Sequence, residues 1–572
     1  MQELTKSQKG RLAIRAFKTI ADALALRGHY KPSGISGQTL ENALRDISPE
    51  IYGSLNDTRS IEIKGLQYII DRLPAGIEEC TKIILTAKED FNHTSFEKIE
   101  PPKRRRTSYR ISKSEICFVI TRGWSEMYDV LTHLTFLNIE ADKVYNKMIN
   151  RSGQKTLEWK NFEEDLSLGN SLKGERLDRA VWNLSILIGK TYHETRQVFE
   201  YLEKAKEQTN SNAGLFQIIY RLGKRVESGK KSKDNEITVY FTPSFRDVVG
   251  HHIYSRIWAR SIKEKIVELG FSCRPIHIIS ANIHSFVNLL YGYAALGKGK
   301  KDNKNDDIYT FINSIKNKTN KIINFAKKHG FYELKDISGI HIDCQIIDTS
   351  MLTSVPFHSD LNIKKKSLTK NGPVLLVIDY AFGTQAFEVM EELLIHDDEE
   401  IDNPLQNITS ISVMGKAGIL PGKKGDIMLA TAHVLEGTPH NYLINNDLKK
   451  EDFDDSVNVY TGPMVTVLGT SLQNRHVLEH FHSTSWKAVG LEMEGAHFQR
   501  SINAAIIRGH ISKHVKVRYA YYASDNPLFS GETLASGSMG KEGIRPTYMI
   551  ARLIIEKILS DEEKNKRILS CA

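Results

Sequence analysis

The chain has 572 residues, of which 40% are apolar and 9% aromatic, with 78 basic and 69 acidic side chains and a net charge of +9. That length exceeds a single hydrophobic core and calls for roughly three or four domains, and the apolar content excludes a disordered chain. No stretch reaches the ~18 uncharged apolar residues of a membrane span, and Met1 to Phe17 carries charges throughout in place of a secretory leader's apolar run. The expected setting is therefore cytoplasmic, without membrane attachment.

Cys80, Cys117, Cys273, Cys344 and Cys571 are scattered with no CxxC pair, so neither a disulfide framework nor a zinc pattern is read. From Leu12 to about Arg225 apolar residues recur at three- and four-residue spacing, as in Leu66, Ile69, Ile70 and Leu73, or Val181, Leu184, Leu187 and Ile188. Residues 1–230 are expected to be mostly helical, with breaks at 28–37, 92–106 and 150–153. The basic run Lys103, Arg104, Arg105, Arg106 beside Pro101 and Pro102 reads as a solvated loop, and nucleic acid is not an expected partner. Asp129/His133 and His193/Glu194 read as ordinary polar residues, because no repeated carboxylate-histidine pair completes a metal site. The polar stretch Gly223 to Glu236 is expected as a linker.

Beyond it, the β-branched run Ile237–Phe241, a helical period to Leu269 and a second run Ile276–Ile279 read as a β-α-β unit. Residues 297–306 form a polar loop, and Ile340–Ile347 is a further strand candidate. His251, His252, His277, His284 and Ser285 are read as capping residues around helix starts, and His358-Ser359-Asp360 is no triad through adjacency alone. Residues 236–370 are thus expected to be a small α/β region. From Pro373 short strands alternate with helices: Val374–Ile378, Ser410–Val413, Asp426–Ala430, Pro463–Val467, Val489–Leu491 and Val515–Tyr521, with helices over Gln385–Ile395, Gly495–Ile507 and Pro546–Leu559. Residues 371–572 are expected to be an α/β domain around a central mixed sheet, with ligands beyond the carboxyl ends of its strands.

Three strand ends stand out. Val374–Asp379 runs into Tyr380-Ala381-Phe382-Gly383-Thr384 and a helix, where an anion or sugar oxygen could be held. Ser412–Met414 leads to Gly415-Lys416-Ala417-Gly418, small residues that let backbone approach a ligand. Val489-Gly490-Leu491-Glu492-Met493-Glu494-Gly495 leads into a helix, and Ala520–Ala523 leads to Ser524-Asp525. Taken singly, Glu494 is a helix N-terminal acid, Asp525 a cap and each glycine a turn residue. Together, two carboxylates at two strand ends suit cleavage of a purine N-glycosidic bond, which needs a proton donor to the base and a grip on the ribose hydroxyls as the sugar becomes oxocarbenium-like.

In order and spacing these segments resemble the nucleoside phosphorylase/nucleosidase superfamily, which includes purine nucleoside phosphorylases and methylthioadenosine nucleosidases, and they are most similar to AMP nucleosidases. Ser524-Asp525-Asn526-Pro527-Leu528 with Gly531-Glu532 is similar to the Ser-Asp-Lys-Pro-Leu…Gly-Glu stretch of AMP nucleosidases. Gly425-Asp426-Ile427-Met428-Leu429-Ala430-Thr431-Ala432-His433-Val434 is similar to their Gly-Asp-Tyr-Val-Leu-Ala-His-Ala-Tyr-Val. The likeness spans Pro373 to Leu559.

The resemblance implies Asp525 as general acid at purine N7, Ser524 orienting it, Glu494 on the 2′ and 3′ hydroxyls and Met493 against the sugar. Gly383, Thr384, Gly415, Lys416 and Gly418 would line the ribose, phosphate or water side. Lys416 departs from the small polar residue or histidine of relatives, which leaves hydrolysis and phosphorolysis both open, and no stacking residue is assigned in Thr466–Gln473. The implied reaction is hydrolysis of AMP to adenine and ribose 5-phosphate, without metal or organic cofactor. The alternatives are a purine nucleoside phosphorylase, a methylthioadenosine/adenosylhomocysteine-type nucleosidase and, in another class, a non-catalytic purine nucleotide sensor or scaffold. A homo-oligomer is expected, with residues 1–370 regulating the site or building the assembly.

Overall fold

The computed structural model describes residues 4–571 except 88–90, 92–93, 105, 170–172, 297–306, 366–367, 369–370, 396–404, 406, 439, 530–539 and 541, with side chains to residue 560. Arg105, the loop 297–306, and Gly531 with Glu532 therefore lie outside the described residues. The chain forms two compact units, one of Met1–His251 with Ser471–Val477 and the other of His252–Thr470 with Leu478–Ala572. No helix among the described residues is long and apolar enough to cross a membrane.

The first unit is helical, as the apolar spacing predicts, but it also holds a sheet. Helix Lys6–Arg27 starts on a capping box, Thr5 accepting from the Gln8 amide while Gln8 reaches back, and helix Gly123–Met148 is buried along most of its 26 residues. Around them stand β1 (His29–Tyr30), β2 (Lys82–Thr86), β3 (Glu97–Lys98), β4 (Thr107–Ser112), β5 (Glu115–Val119) and β6 (Thr238–Phe241), in the order β1-β6-β2-β5-β4-β3. The first five fall inside the region expected to be mostly helical. They escape a helical-period reading because each is two to six residues long and a short apolar run such as Lys82–Thr86 fits either period. The expected linker at 223–236 is helical through Lys231, since Leu215–Lys231 buries Leu215, Phe216, Ile218, Ile219, Leu222 and Gly223 on one face.

The second unit is built on a ten-stranded sheet of β7 (Ile276–Ser280), β8 (Phe331–Leu334), β9 (Cys344–Asp348), β10 (Val374–Ile378), β11 (Ile408–Ile419), β12 (Ile427–Leu435), β13 (Asn441–Leu443), β14 (Val459–Thr466), β15 (Gly490–Glu492) and β16 (Lys516–Asp525). β6 and β7, read together as one β-α-β unit, belong to different sheets. A strand-helix-strand pattern records the order of elements but not the partner each strand finds, and β7 pairs in parallel with β10 and β11. The sheet accordingly runs through residue 371 without a break, carrying β7, β8 and β9 from the segment before it.

Both faces of the sheet are covered. Leu375 and Val377 face a core with helices Ile283–Leu296 and Ile544–Cys571, while Val374, Leu376 and Ile378 face a core with helices Ile253–Glu268, Gln385–Leu394 and Gly495–Ile507. That is why Val374–Ile378 is a continuous apolar run instead of an alternating one. Part of the sheet also closes on itself: β11 pairs β16, β16 pairs β12, β12 pairs β14, β14 pairs β15 and β15 pairs β11. The fold is mixed α/β with mixed sheets.

Candidate functional site

The ring sets β15, which leads to Glu494, and β16, which ends on Asp525, on either side of β11. Gly418 of β11 pairs with Leu491 of β15 on one side and with Asp525 of β16 on the other. Strands spaced at the usual interval put those two flanking backbones about 10 Å apart. Gly415, Lys416, Ala417 and Gly418, expected as a loop after the strand, lie inside β11 instead, because β16 pairs with the strand from Ser410 to Gly418. Glycine here permits close packing: a methyl group on Gly418 would stand 2.9 Å from Leu491 Cδ2 and 3.3 Å from Pro527 Cδ.

Glu494 sits where β15 turns into helix Gly495–Ile507. Its Oε1 accepts the Gly383 N–H at 3.0 Å, and its Oε2 lies 3.3 Å from the Met493 amide. Gly383 has φ +56°, a left-handed conformation that glycine adopts without penalty. The turn after β10 is pinned from behind: Gln385 accepts the Phe382 N–H through its side-chain oxygen at 3.0 Å and donates to the Ile340 carbonyl at 2.9 Å. Gly383, Met493 and Glu494 are thus brought together, with Thr384 next to them at the N-cap of helix Gln385–Leu394.

The turn is held by a residue to which sequence reasoning gave no role. Buried Glu492 accepts the backbone N–H groups of Glu494, at 2.5 Å, and Gly495, together with the Thr466 hydroxyl. Thr466 Oγ1 in turn accepts the Ala496 N–H at 3.0 Å, and His433 Nδ1 stands 3.3 Å from Glu492 Oε1. Burial works against the Glu492 charge, but His433, Thr466 and the Gly495 amide hold the carboxyl below its ordinary value. The His433 ring is fully buried and packs edge-on to Tyr519 and Tyr521, with centroids 4.8 and 6.2 Å away. A Cβ on Gly495 would collide with that ring, which fixes glycine at the helix start. The repeated glutamate of Glu492-Met493-Glu494 is the only signal in the sequence that bears on this arrangement.

Asp525 is fully buried at the end of β16 and accepts the Ser524 hydroxyl at 2.5 Å, with the Ala417 carbonyl 3.3 Å from the same hydroxyl. Asn526 locks the following turn by donating to the Leu420 and Gly422 carbonyls at 3.1 and 2.9 Å. Burial, with the neighbouring Asp525 charge, pushes the Tyr522 phenol up to about 12. Ser524, Asp525 and Gly418 therefore form one group and Gly383, Met493 and Glu494 another, joined through β11. Lys416 is exposed and by strand alternation shares a face with Met414 and not with Gly415. Gly415 faces Tyr380 and Tyr521, whose Cε1 and Cδ1 would lie 3.6 and 3.9 Å from an added Cβ. No group of three or more His, Cys, Asp or Glu side chains among the described residues is arranged to hold a metal ion.

A described protein family matches residues 38–321 and 305–560 of the chain. The chain belongs to the family of unknown function DUF6909. No curated protein matches this DUF6909 member. Among solved structures, it is similar to the 5′-methylthioadenosine/S-adenosyl homocysteine nucleosidase of Campylobacter jejuni at 12% identity and a TM-score of 0.30, over 50% of this chain and 97% of that one. A futalosine hydrolase mutant of Helicobacter pylori is similar at 12% identity and a TM-score of 0.30, over 50% and 99% of the two chains. Isoform 2 of uridine phosphorylase from Schistosoma mansoni is similar at 12% identity and a TM-score of 0.31, over 50% and 88%.

Proposed function

We propose that this chain cleaves the N-glycosidic bond of a purine nucleotide, with AMP hydrolysis to adenine and ribose 5-phosphate as the leading reaction. The observation that supports the reading is the pairing of Gly418 with Leu491 of β15, the strand that leads to Glu494, and with Asp525 of β16. Glu494 is oriented before any ligand arrives, since the Gly383 amide already holds one of its oxygens, leaving the carboxylate to accept from ribose hydroxyls. Asp525, with Ser524 as its hydrogen-bond partner, supplies the proton.

In this reading the C1′–N9 bond breaks with its electron pair passing to the purine, and N7 takes the proton of Asp525. A water attacks C1′ of the oxocarbenium-like ribose and its released proton restores Asp525. Met493, 6% exposed, packs against the sugar, while the backbone of Gly383, Thr384, Gly415 and Gly418 lines the ribose and phosphate side.

The test is adenine release from AMP, adenosine and methylthioadenosine, each with and without inorganic phosphate. Phosphate-independent release from AMP is the expected result, and release only with phosphate moves the assignment to phosphorolysis. Purine binding without release from any of the three points to a sensor and sinks the catalytic reading.

A further inference from the structure

Arg104 and Arg106 of the basic run are not the solvated side chains that its composition suggests. Arg106 is 2% exposed and lies at the carboxyl end of β5, where the chain turns through Thr121, Arg122 and Gly123 into helix Gly123–Met148. The first turns of that helix point Glu126, Asp129 and His133 inward, all buried. Arg106 Nη2 is 2.6 Å from Asp129 Oδ2 and its Nε 3.8 Å from Glu126 Oε1. Arg104 reaches Asp129 at 3.3 Å, and Arg122 reaches Glu126 at 3.4 Å. Each carboxylate is therefore shared by two guanidinium groups. A fourth, Arg72, stacks 3.6 Å above the ring of Tyr68, and its carbonyl accepts from Arg106 at 2.9 Å.

Among the described residues the guanidinium groups of Arg104, Arg106 and Arg122 share two carboxylates, Asp129 and Glu126, and like charges gathered away from water repel. Burial, followed by the like charges of Arg106 and Arg104, holds Arg122 below its ordinary value against the pull of Glu126. Burial and the same arginines take His133 down to about 3 despite Asp129, so it stays neutral. Independently, the hydroxyl of Tyr68 is buried with no hydrogen-bond partner among the described residues, although it borders both Arg72 and His133. Buried hydroxyls are in the large majority of cases hydrogen-bonded.

We propose that this cluster binds the phosphate dianion of a small molecule, with Arg72, Arg104 and Arg122 as its guanidinium donors and the Tyr68 hydroxyl as a further one. Guanidinium forks match phosphate oxygens in pairs. The position also fits, since β2, β5 and β6 run parallel and ligands of such sheets lie beyond the carboxyl ends of the strands. Arg106 is the positioning residue, tying Asp129 and Glu126 to the strand end.

The experiment uses the full chain, with inorganic phosphate and ribose 5-phosphate as probes, and reads phenylglyoxal labelling of Arg104 by mass spectrometry together with a binding titration. Arg104, whose side chain is 19% exposed, should be labelled several-fold more slowly with a saturating probe. Arg104→Gln and Tyr68→Phe should each weaken binding roughly tenfold, as for loss of one charge-assisted hydrogen bond. Tighter binding of ribose 5-phosphate than of phosphate identifies an ester ligand, and the reverse identifies the free ion. Equal Arg104 labelling with and without both probes overturns the proposal, and this wild-type measurement decides even where a variant fails to fold. Undiminished binding by a folded Arg104→Gln chain overturns it as well.

Discussion

Glu492 accepts the backbone N–H of Glu494 at 2.5 Å, so the buried first glutamate of the Glu-Met-Glu triplet sets the position of the half-buried second. Its four partners, two amides, a hydroxyl and an imidazole, come from β12, β14 and the helix start after β15. Glu492 is a tie between strands as much as a turn residue.

Replacing Glu492 with alanine should leave two amides and His433 without their acceptor, a loss of about 3–5 kcal/mol typical of a broken buried charge network. Calorimetry of Glu492→Ala is expected to show a large fall in the melting temperature. An unchanged midpoint would mean that the turn is held by something else.

Glycines in the site should divide by what surrounds them. Gly495→Ala drives a methyl group into the His433 ring, and Gly383→Ala forces an L-residue into φ +56°, at about 1–2 kcal/mol for the backbone alone. Gly415→Ala meets only ordinary contacts with Tyr380 and Tyr521. Urea titration should rank Gly495→Ala as destabilised and Gly415→Ala as near wild type, and the opposite order would contradict the packing described.

Asp525→Asn is expected to lower turnover of the proposed reaction by about 10²–10⁴, the usual contribution of one general acid. Glu494→Gln should lower it too while the melting temperature stays close to wild type, because the glutamine side-chain oxygen can still accept the Gly383 amide at this half-buried position. Steady-state kinetics with AMP provide the readout, and wild-type turnover by Asp525→Asn would remove it from the acid role.

A pH effect on stability follows from Glu388 in helix Gln385–Leu394. Burial, with Glu392 and Glu391 nearby and His252 opposing, pushes its carboxyl from 4.5 to about 7. The folded state therefore favours the protonated form, whose stabilisation is complete below pH 4.5 and fades as the pH rises through 7. The span is at most about 3 kcal/mol at 1.36 kcal/mol per pKa unit. The stability difference between wild type and Glu388→Gln, measured by denaturant unfolding, should shift across that window in favour of the variant as pH rises. A difference constant from pH 4.5 to 8 would show that Glu388 is ionised in the fold.

What could be read from residues alone follows physical lines. Val374–Ile378 and Gly495–Ile507 match their expected spans because a buried five-residue apolar run and an amphipathic helix announce themselves locally. The reach of β11 through Gly415 and Gly418 was hidden, since glycines signal a turn unless a neighbouring strand is known to pair with them. Glu494 and Asp525 were legible as strand-end acids. The role of Glu492 and His433 was not, because it exists only once β12, β14 and β15 stand side by side. For the same reason Arg104 and Arg106 read as surface: nothing in a run of basic residues tells that Asp129 and Glu126 wait one helix away.

The ring of β11, β16, β12, β14 and β15 has a consequence for breathing motions. Every strand in it is hydrogen-bonded on both sides, so no member can peel off singly as an edge strand does. Amide protons around Gly418 should exchange with solvent at the rate of global opening, and the spacing between the two acids should survive until the whole unit melts.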